Sequence, residues 1–253
     1  MGFSPGTYSR SGRRLNKSNR SQRGKIFLRH TLRFSMQRVI FALAAAILLL
    51  FLAAPSARCQ VSASPSVPNN EFGLWGGASF GNPTGIGTTT DRQLAIVGLR
   101  YSRTIWEPAD LSLRYTLDIL PLESLNQPTF INCAPPGSSS PEYCQNGRET
   151  AYGGGINPIG LKLNFLRRSQ WQPFIASTAG FVAYVDKVPY DIPLGTQFNF
   201  TFDFQGGIQR FNSSRTRAWT LGYKYQHISN ANRSSFNPGV DFNVLYIGYS
   251  FFR

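Results

Sequence analysis

Three stretches of the chain alternate strictly between large apolar and polar side chains. Asp110–Leu120 sets Leu111, Leu113, Tyr115, Leu117 and Ile119 against Ser112, Arg114, Thr116 and Asp118. Gln197–Gln205 sets Phe198, Phe200, Phe202 and Phe204 against Asn199, Thr201, Asp203 and Gln205. Trp219–Tyr225 sets Trp219, Leu221, Tyr223 and Tyr225 against Thr220, Gly222 and Lys224. A period of two is the period of a strand, and it rules out amphipathic helices for these segments. Such strands suit two environments. A sandwich turns the apolar face inward to a core. A membrane barrel turns it outward to lipid and keeps polar residues inside. Strands of about 9–11 residues with aromatics in file along one face favour the barrel.

Eight candidate strands follow, at 70–80, 93–104, 110–120, 150–165, 171–185, 197–210, 217–229 and 241–252. Their connections alternate: long at 81–92, 121–149, 186–196 and 230–240, short at 105–109, 166–170 and 211–216. Outer-membrane barrels show this alternation, with short periplasmic turns and long external loops. The expected fold is therefore an all-β, eight-stranded antiparallel transmembrane β-barrel in an outer membrane. One departure is the last residue: such barrels often end on an aromatic, and here Arg253 follows Phe251 and Phe252.

The charge of +14 agrees with this once it is divided along the chain. Residues 1–59 carry 11 of the 26 basic residues and none of the 12 acidic ones, so residues 60–253 carry 15 − 12 = +3. The basicity belongs to a leader, which removes the case for a nucleic-acid binder. Val39–Ala54 is an apolar run of 16 after Arg38, and Ala57-Arg58-Cys59 supplies small residues before a cut at Gln60. That is the layout of a secretory signal peptide. The expected division is a basic extension at 1–35, with Met36 as the start, a signal peptide at 36–59 and the barrel at 60–253. The alternative is a basic tail on an uncleaved anchor. Cleavage leaves Cys133 and Cys144 in an exported chain, in a segment rich in Pro, Gly and Ser, so a disulfide closing a long loop is expected.

Chemistry concentrates at one place. His227 is the single histidine of residues 60–253. Two-residue steps from Trp219 carry the lipid-facing side to His227 and then Ser229, about 6.5–7 Å apart along a strand. Asp241 shares a face with Leu245, Ile247, Tyr249 and Phe251 on the following strand, an antiparallel neighbour. A hydroxyl, an imidazole and a carboxylate are the nucleophile, base and orienting acid of a hydrolytic triad. Asn230 adds an amide donor for an oxyanion. A polar cluster on a lipid-facing wall is costly unless it serves a function, so its substrate would lie in the outer leaflet. By spacing alone, an interfacial histidine beside ordinary loop residues explains the stretch as well. One histidine and no clustered carboxylates offer no usual site for a metal or cofactor.

The run His227-Ile228-Ser229-Asn230, followed by Gly239-Val240-Asp241, resembles the active-site region of the lipid A 3-O-deacylases of the outer membrane. That family has a His-x-Ser-Asn run and then Gly, an aliphatic residue and an acid fourteen positions after the His, here 227 + 14 = 241. Gly153–Gly160 (GGGINPIG) also resembles the family; by residue type it reads as strand, not as a phosphate loop. The resemblance implies an eight-stranded barrel, a serine esterase acting on the 3-O-acyl chain of lipid A in lipopolysaccharide, His227 as base, Ser229 as nucleophile, Asp241 as acid and Asn230 in the oxyanion hole. The family's acid is usually Glu, one methylene longer, and Asn232 stands where it usually has glycine. Asn tolerates left-handed backbone better than most residues. Rival readings are a non-enzymatic structural or adhesion barrel and a secreted sandwich. Whether the chain forms a homodimer is open. Arg215, Arg217, Lys224 and Arg233 could meet lipid phosphates, Arg233 alone near the proposed outer rim.

Overall fold

The computed structural model describes residues 66–136, 138–189, 195–234 and 237–253. The proposed extension, the signal peptide with Met36, and Cys59 lie outside the described residues.

Eight strands close into an antiparallel barrel in chain order: β1 (Asn70–Gly81), β2 (Gln93–Trp106), β3 (Leu111–Asn132), β4 (Tyr143–Phe165), β5 (Trp171–Val188), β6 (Thr196–Phe211), β7 (Arg217–Ser229) and β8 (Val240–Phe252). Closure is made by β1 on β8, from Glu71 opposite Phe252 to Gly81 opposite Asn243. A closed sheet has no unpaired edge, which a bilayer requires because lipid cannot satisfy backbone groups. The short connections at 107–110, 166–170 and 212–216 share one end with both strand termini, where Asn70 and Arg253 exchange two backbone hydrogen bonds of 2.9 Å. The strand ends Gly81 and Gln93, Asn132 and Tyr143, Val188 and Thr196, and Ser229 and Val240 lie at the other end.

The alternation dictates which face is which. Leu99, Ile119, Leu161, Ile175, Leu221 and Ile247 stand exposed on the outer wall. Their strand neighbours Arg100, Asp118, Lys162 and Thr220 are buried inside. That inversion, apolar out and charged in, identifies a wall built for lipid, and it rules out the sandwich.

The interior is filled. Its polar belt is internally paired: Arg100 donates to both oxygens of Asp118 at 2.8 and 2.7 Å, Lys162 lies 3.0 Å from Glu71, and Lys224 lies 3.0 Å from Asp203. Gln205 bridges Arg100 and Asp203. Lys224, buried in this belt, cannot reach lipid, which corrects the expectation that it could meet lipid phosphates. Toward the long-loop end the lumen becomes apolar, with Leu94, Ile96, Leu125, Ile228, Phe242 and Val244 packed together. Phe211, Ala218 and Phe252 cap the opposite end. The purely polar interior expected from the barrel pattern is thus interrupted by apolar clusters toward both ends, with Glu123 and Gln226 still buried and hydrogen-bonded among the residues of the long-loop half.

The other difference lies at 121–149. The expected long loop is mostly strand: β3 and β4 run on past the end of β2 as a two-stranded extension, paired from Gln127 opposite Glu149 to Asn132 opposite Tyr143. Cys133 and Cys144 are bonded, with Cα atoms 5.9 Å apart, and close the tip of this hairpin. Gly153–Gly160 lies within β4, as its residue types imply.

Breaking one partner of a buried pair leaves an uncompensated charge, at a cost of about 3–5 kcal/mol. Arg100→Leu should lower the unfolding free energy of the refolded barrel by that order in a urea titration. The Arg100→Leu/Asp118→Leu double variant should recover most of the loss.

Candidate active site

β7 and β8 pair in a register that sets His227 directly opposite Asp241 and Ile228 opposite Val240. Opposed residues of an antiparallel pair share a face, and here it is the outer one, continuous with the exposed Leu221 and Ile247. Nδ1 of His227 lies 2.6 Å from Oδ1 of Asp241. The carboxylate is fully buried and the imidazole nearly so. On the β6 side the ring of Phe202, paired opposite His227, packs against the imidazole at 5.0 Å between centroids.

The second carboxylate oxygen is held by backbone. Oδ2 of Asp241 accepts three consecutive amides, from Gly85 at 2.9 Å, Ile86 at 2.7 Å and Gly87 at 2.8 Å. The Tyr225 hydroxyl also hydrogen-bonds this carboxylate. Three successive N–H groups aimed at one oxygen form an anion-binding nest. It fixes the carboxylate so that Oδ1 faces the imidazole. The 82–92 segment that supplies the nest is itself anchored at both sides. Thr88 and Thr89 donate through their hydroxyls to the carbonyls of Pro238 and Gly239 at 2.7 and 2.8 Å. Asp91 pairs with Arg148 of the β3–β4 extension at 2.8 Å. The segment lies close against 238–240: a Cβ on Gly87 would fall 2.7 Å from the carbonyl carbon of Gly239. Gly239 has φ +57, and a Cβ there would sit 2.9 Å from Cε1 of His227. Only glycine fits this approach to the imidazole without strain.

Ser229 ends β7, half-buried on the same face as His227 and opposite Phe200 of β6. The chain then turns sharply. Ala231 and Asn232 have φ of 51° and 60°, and the Arg233 N–H donates to the Asn230 carbonyl at 3.1 Å. Positive φ at both central positions is the pattern of a type I′ turn. Asn232 therefore adopts the left-handed conformation for which glycine is the usual choice. Asn230 is buried, and its backbone N–H donates to Oδ1 of Asn237 at 3.0 Å. Arg233 is exposed and lies over the rings of Phe198 and Phe200, at 5.6 and 5.9 Å. Arg215 is at the opposite end of the barrel, donating to the carbonyls of Arg167 and Arg168.

The structure thus brings His227 and Asp241 into contact, with Ser229 two residues farther along the same face of β7 and Asn230 at the start of the turn that follows. Sequence reasoning missed the nest and Tyr225. Backbone amides carry no side-chain signature, and the only trace of the nest is the Gly-, Pro- and Thr-rich composition of 81–90. Among the described residues, no group of three or more His, Cys, Asp or Glu is arranged to hold a metal.

Fold and site together define an outer-membrane β-barrel with a polar constellation on its lipid-facing wall. The family model for lipid A 3-O-deacylase (PagL) matches residues 95–250, a span that includes His227, Ser229 and Asp241. The chain belongs to the lipid A 3-O-deacylase family. Among solved structures it is similar to the outer membrane enzyme PagL, at 14% identity over 70% of this chain and 97% of that one, with a TM-score of 0.47. It is also similar to the outer membrane protein OprG from Pseudomonas aeruginosa, at 10% identity over 76% and 99%, with a TM-score of 0.42. The attachment invasion locus protein Ail of Yersinia pestis matches at 10% identity over 74% and 100%, with a TM-score of 0.35. No curated protein sequence matches the chain.

Removing the carboxylate should release the nest. In Asp241→Ala, trypsin cleavage after Arg92 should accelerate about tenfold or more, from the loss of charge-assisted hydrogen bonds, while the barrel core stays resistant. Unchanged cleavage would mean that Asp241 does not hold the 82–92 segment.

Proposed function

We propose that this chain is an outer-membrane serine esterase that removes the ester-linked 3-O-acyl chain of lipid A, with Ser229 as nucleophile, His227 as base and Asp241 as acid. The observation that carries the proposal is the 2.6 Å contact of His227 Nδ1 with Asp241 Oδ1 on the outer wall, with Ser229 two residues farther along that face. An ester buried among acyl chains has no aqueous nucleophile near it. A serine on the wall of the barrel meets that ester from the side, at the depth where acyl chains join the sugar.

In this mechanism Nε2 of His227 takes the Ser229 proton as Oγ attacks the ester carbonyl carbon. Asp241 holds the imidazole in the tautomer that leaves Nε2 unprotonated, and stabilises the imidazolium that forms. The side-chain amide of Asn230 donates to the oxyanion, since its backbone N–H is committed to Asn237. Collapse expels the 3-hydroxyl of the sugar, which leaves with the proton from His227. Water then attacks the acyl-serine by the same route in reverse and releases a fatty acid. Asp241 serves in place of the longer Glu because it is the direct cross-strand partner of His227, where Cβ atoms are about 4.5–5.5 Å apart.

The test is the lipid A mass profile of cells expressing the protein or its variants. Wild type should yield lipid A lacking one hydroxyacyl chain. Ser229→Ala should slow the reaction by about 10⁴-fold or more, and Asp241→Asn by about 10²–10⁴-fold. Both variants should retain heat-modifiable migration on a gel, the sign of a folded barrel. Identical profiles for wild type and Ser229→Ala would return the chain to the structural or adhesion class. Arg233→Ala should change turnover by less than about tenfold, as expected of an exposed side chain on aromatic faces; complete loss in a folded protein would assign Arg233 a larger part.

A further inference from the structure

At the short-turn end, opposite the site above, the outer wall carries a groove of about 430 Å³ lined by Arg210, Arg217, Trp219, Tyr249, Ser213 and Gln170. Register explains its composition. Arg210 pairs across to Trp171 on β5 and to Trp219 on β7, and Trp219 pairs to Tyr249 on β8, so four outward side chains form one row around the wall. The row is an aromatic belt interrupted by a guanidinium. Arg217, opposite Phe251, lies one outward step nearer the turn.

The two arginines differ from their neighbours. Arg167 and Arg168, in the adjoining turn, face Glu107 and Asp110 at 3.7 and 3.8 Å. Arg210 and Arg217 have no acidic partner among the described residues. Their guanidiniums rest instead on aromatic faces, 5.2 Å from the Trp171 ring and 6.0 Å from the Phe251 ring. Aromatic stacking fixes their planes and leaves the N–H edges free to receive an anion in fork geometry. Directly along the wall from the groove, Leu221 and Ile247 are exposed at 60% and 57% and continue the apolar surface toward the bilayer centre. A ligand suited to this arrangement carries an anionic head at the level of the aromatic belt and hydrocarbon tails that run along the barrel. We infer that the groove binds the phosphate of an anionic glycerophospholipid in the leaflet facing the short turns. The inference is independent of the chemistry at the long-loop rim.

The experiment is native mass spectrometry of the full-length protein released from detergent micelles. The micelles are doped with equal amounts of palmitoyl-oleoyl phosphatidylglycerol and palmitoyl-oleoyl phosphatidylcholine. With about fivefold expected per arginine near an anionic lipid, wild type should retain phosphatidylglycerol over phosphatidylcholine by about 25-fold. Arg210→Gln/Arg217→Gln should abolish that preference, and Arg103→Gln, an exposed arginine outside the groove, should keep it. A parallel arm adds inorganic phosphate: retention unaffected by it supports a lipid site, and complete displacement overturns the lipid in favour of a free-anion site. Equal retention of the two lipids by wild type, or an unchanged preference in the double variant, overturns the inference. Should the double variant fail to fold, quenching of wild-type tryptophan fluorescence by tail-brominated phosphatidylglycerol over tail-brominated phosphatidylcholine decides it, with equal quenching counting against the site.

Discussion

The register of β7 on β8 is the constraint on which the site depends. Because side chains alternate with a period of two, a slip of one residue would turn His227 and Asp241 to opposite faces, and with them it would carry either Leu221 or Ile247 into the lumen. The outward set on these strands must meet lipid, and the inward set must fit beside Lys224, Asp203 and Tyr246 in a filled interior. Both demands select the same pairing. The polar pair at the rim therefore inherits its alignment from a much larger apolar and ionic requirement along the whole length of both strands.

Most of the fold was legible because a lipid-facing wall imposes an unusual pattern. Phe198, Phe200, Phe202 and Phe204 in file need a surface that is apolar on the outside, and Asp203 between them needs a partner inside, which Lys224 provides. The β3–β4 extension was not legible. Beyond the bilayer, ESLNQPTFIN has no reason to alternate, and Pro121 and Pro128 read as breakers although both lie within β3. The apolar plug was hidden for the opposite reason. In β2, QLAIVGL is apolar on both faces, so a period of two could not separate Leu94 and Ile96, which point inward, from Val97 and Leu99, which face lipid.

The site was legible in its side chains and illegible in its support. Type and parity place His227 and Asp241 on one face, where the structure pairs them, while the selection of Ser229 as their partner rests on the family resemblance. The amides of Gly85, Ile86 and Gly87 carry no such signal, since any sequence supplies amides. What that sequence had to supply was room: glycine at 87, where the 82–92 segment crosses 238–240, and glycine at 239, beneath the imidazole. The same geometry accounts for Asp241 in place of a longer acid. A carboxylate gripped by backbone on one oxygen has little freedom, and one methylene fewer removes a rotatable bond that would otherwise need ordering.

The filled lumen bears on how such a site can work at all. A water-filled barrel would tolerate shifts among its strands, whereas Arg100, Lys162 and Lys224, each buried against a carboxylate, penalise any rearrangement that separates them. The apolar plug of Leu94, Ile228, Phe242 and Val244 then backs the rim directly, because Ile228 sits between His227 and Ser229 and points inward. The outward pair is held from behind by packing and from above by the nest. Preorganisation of this kind matters most at a lipid boundary, where no shell of ordered water is available to orient donors and acceptors.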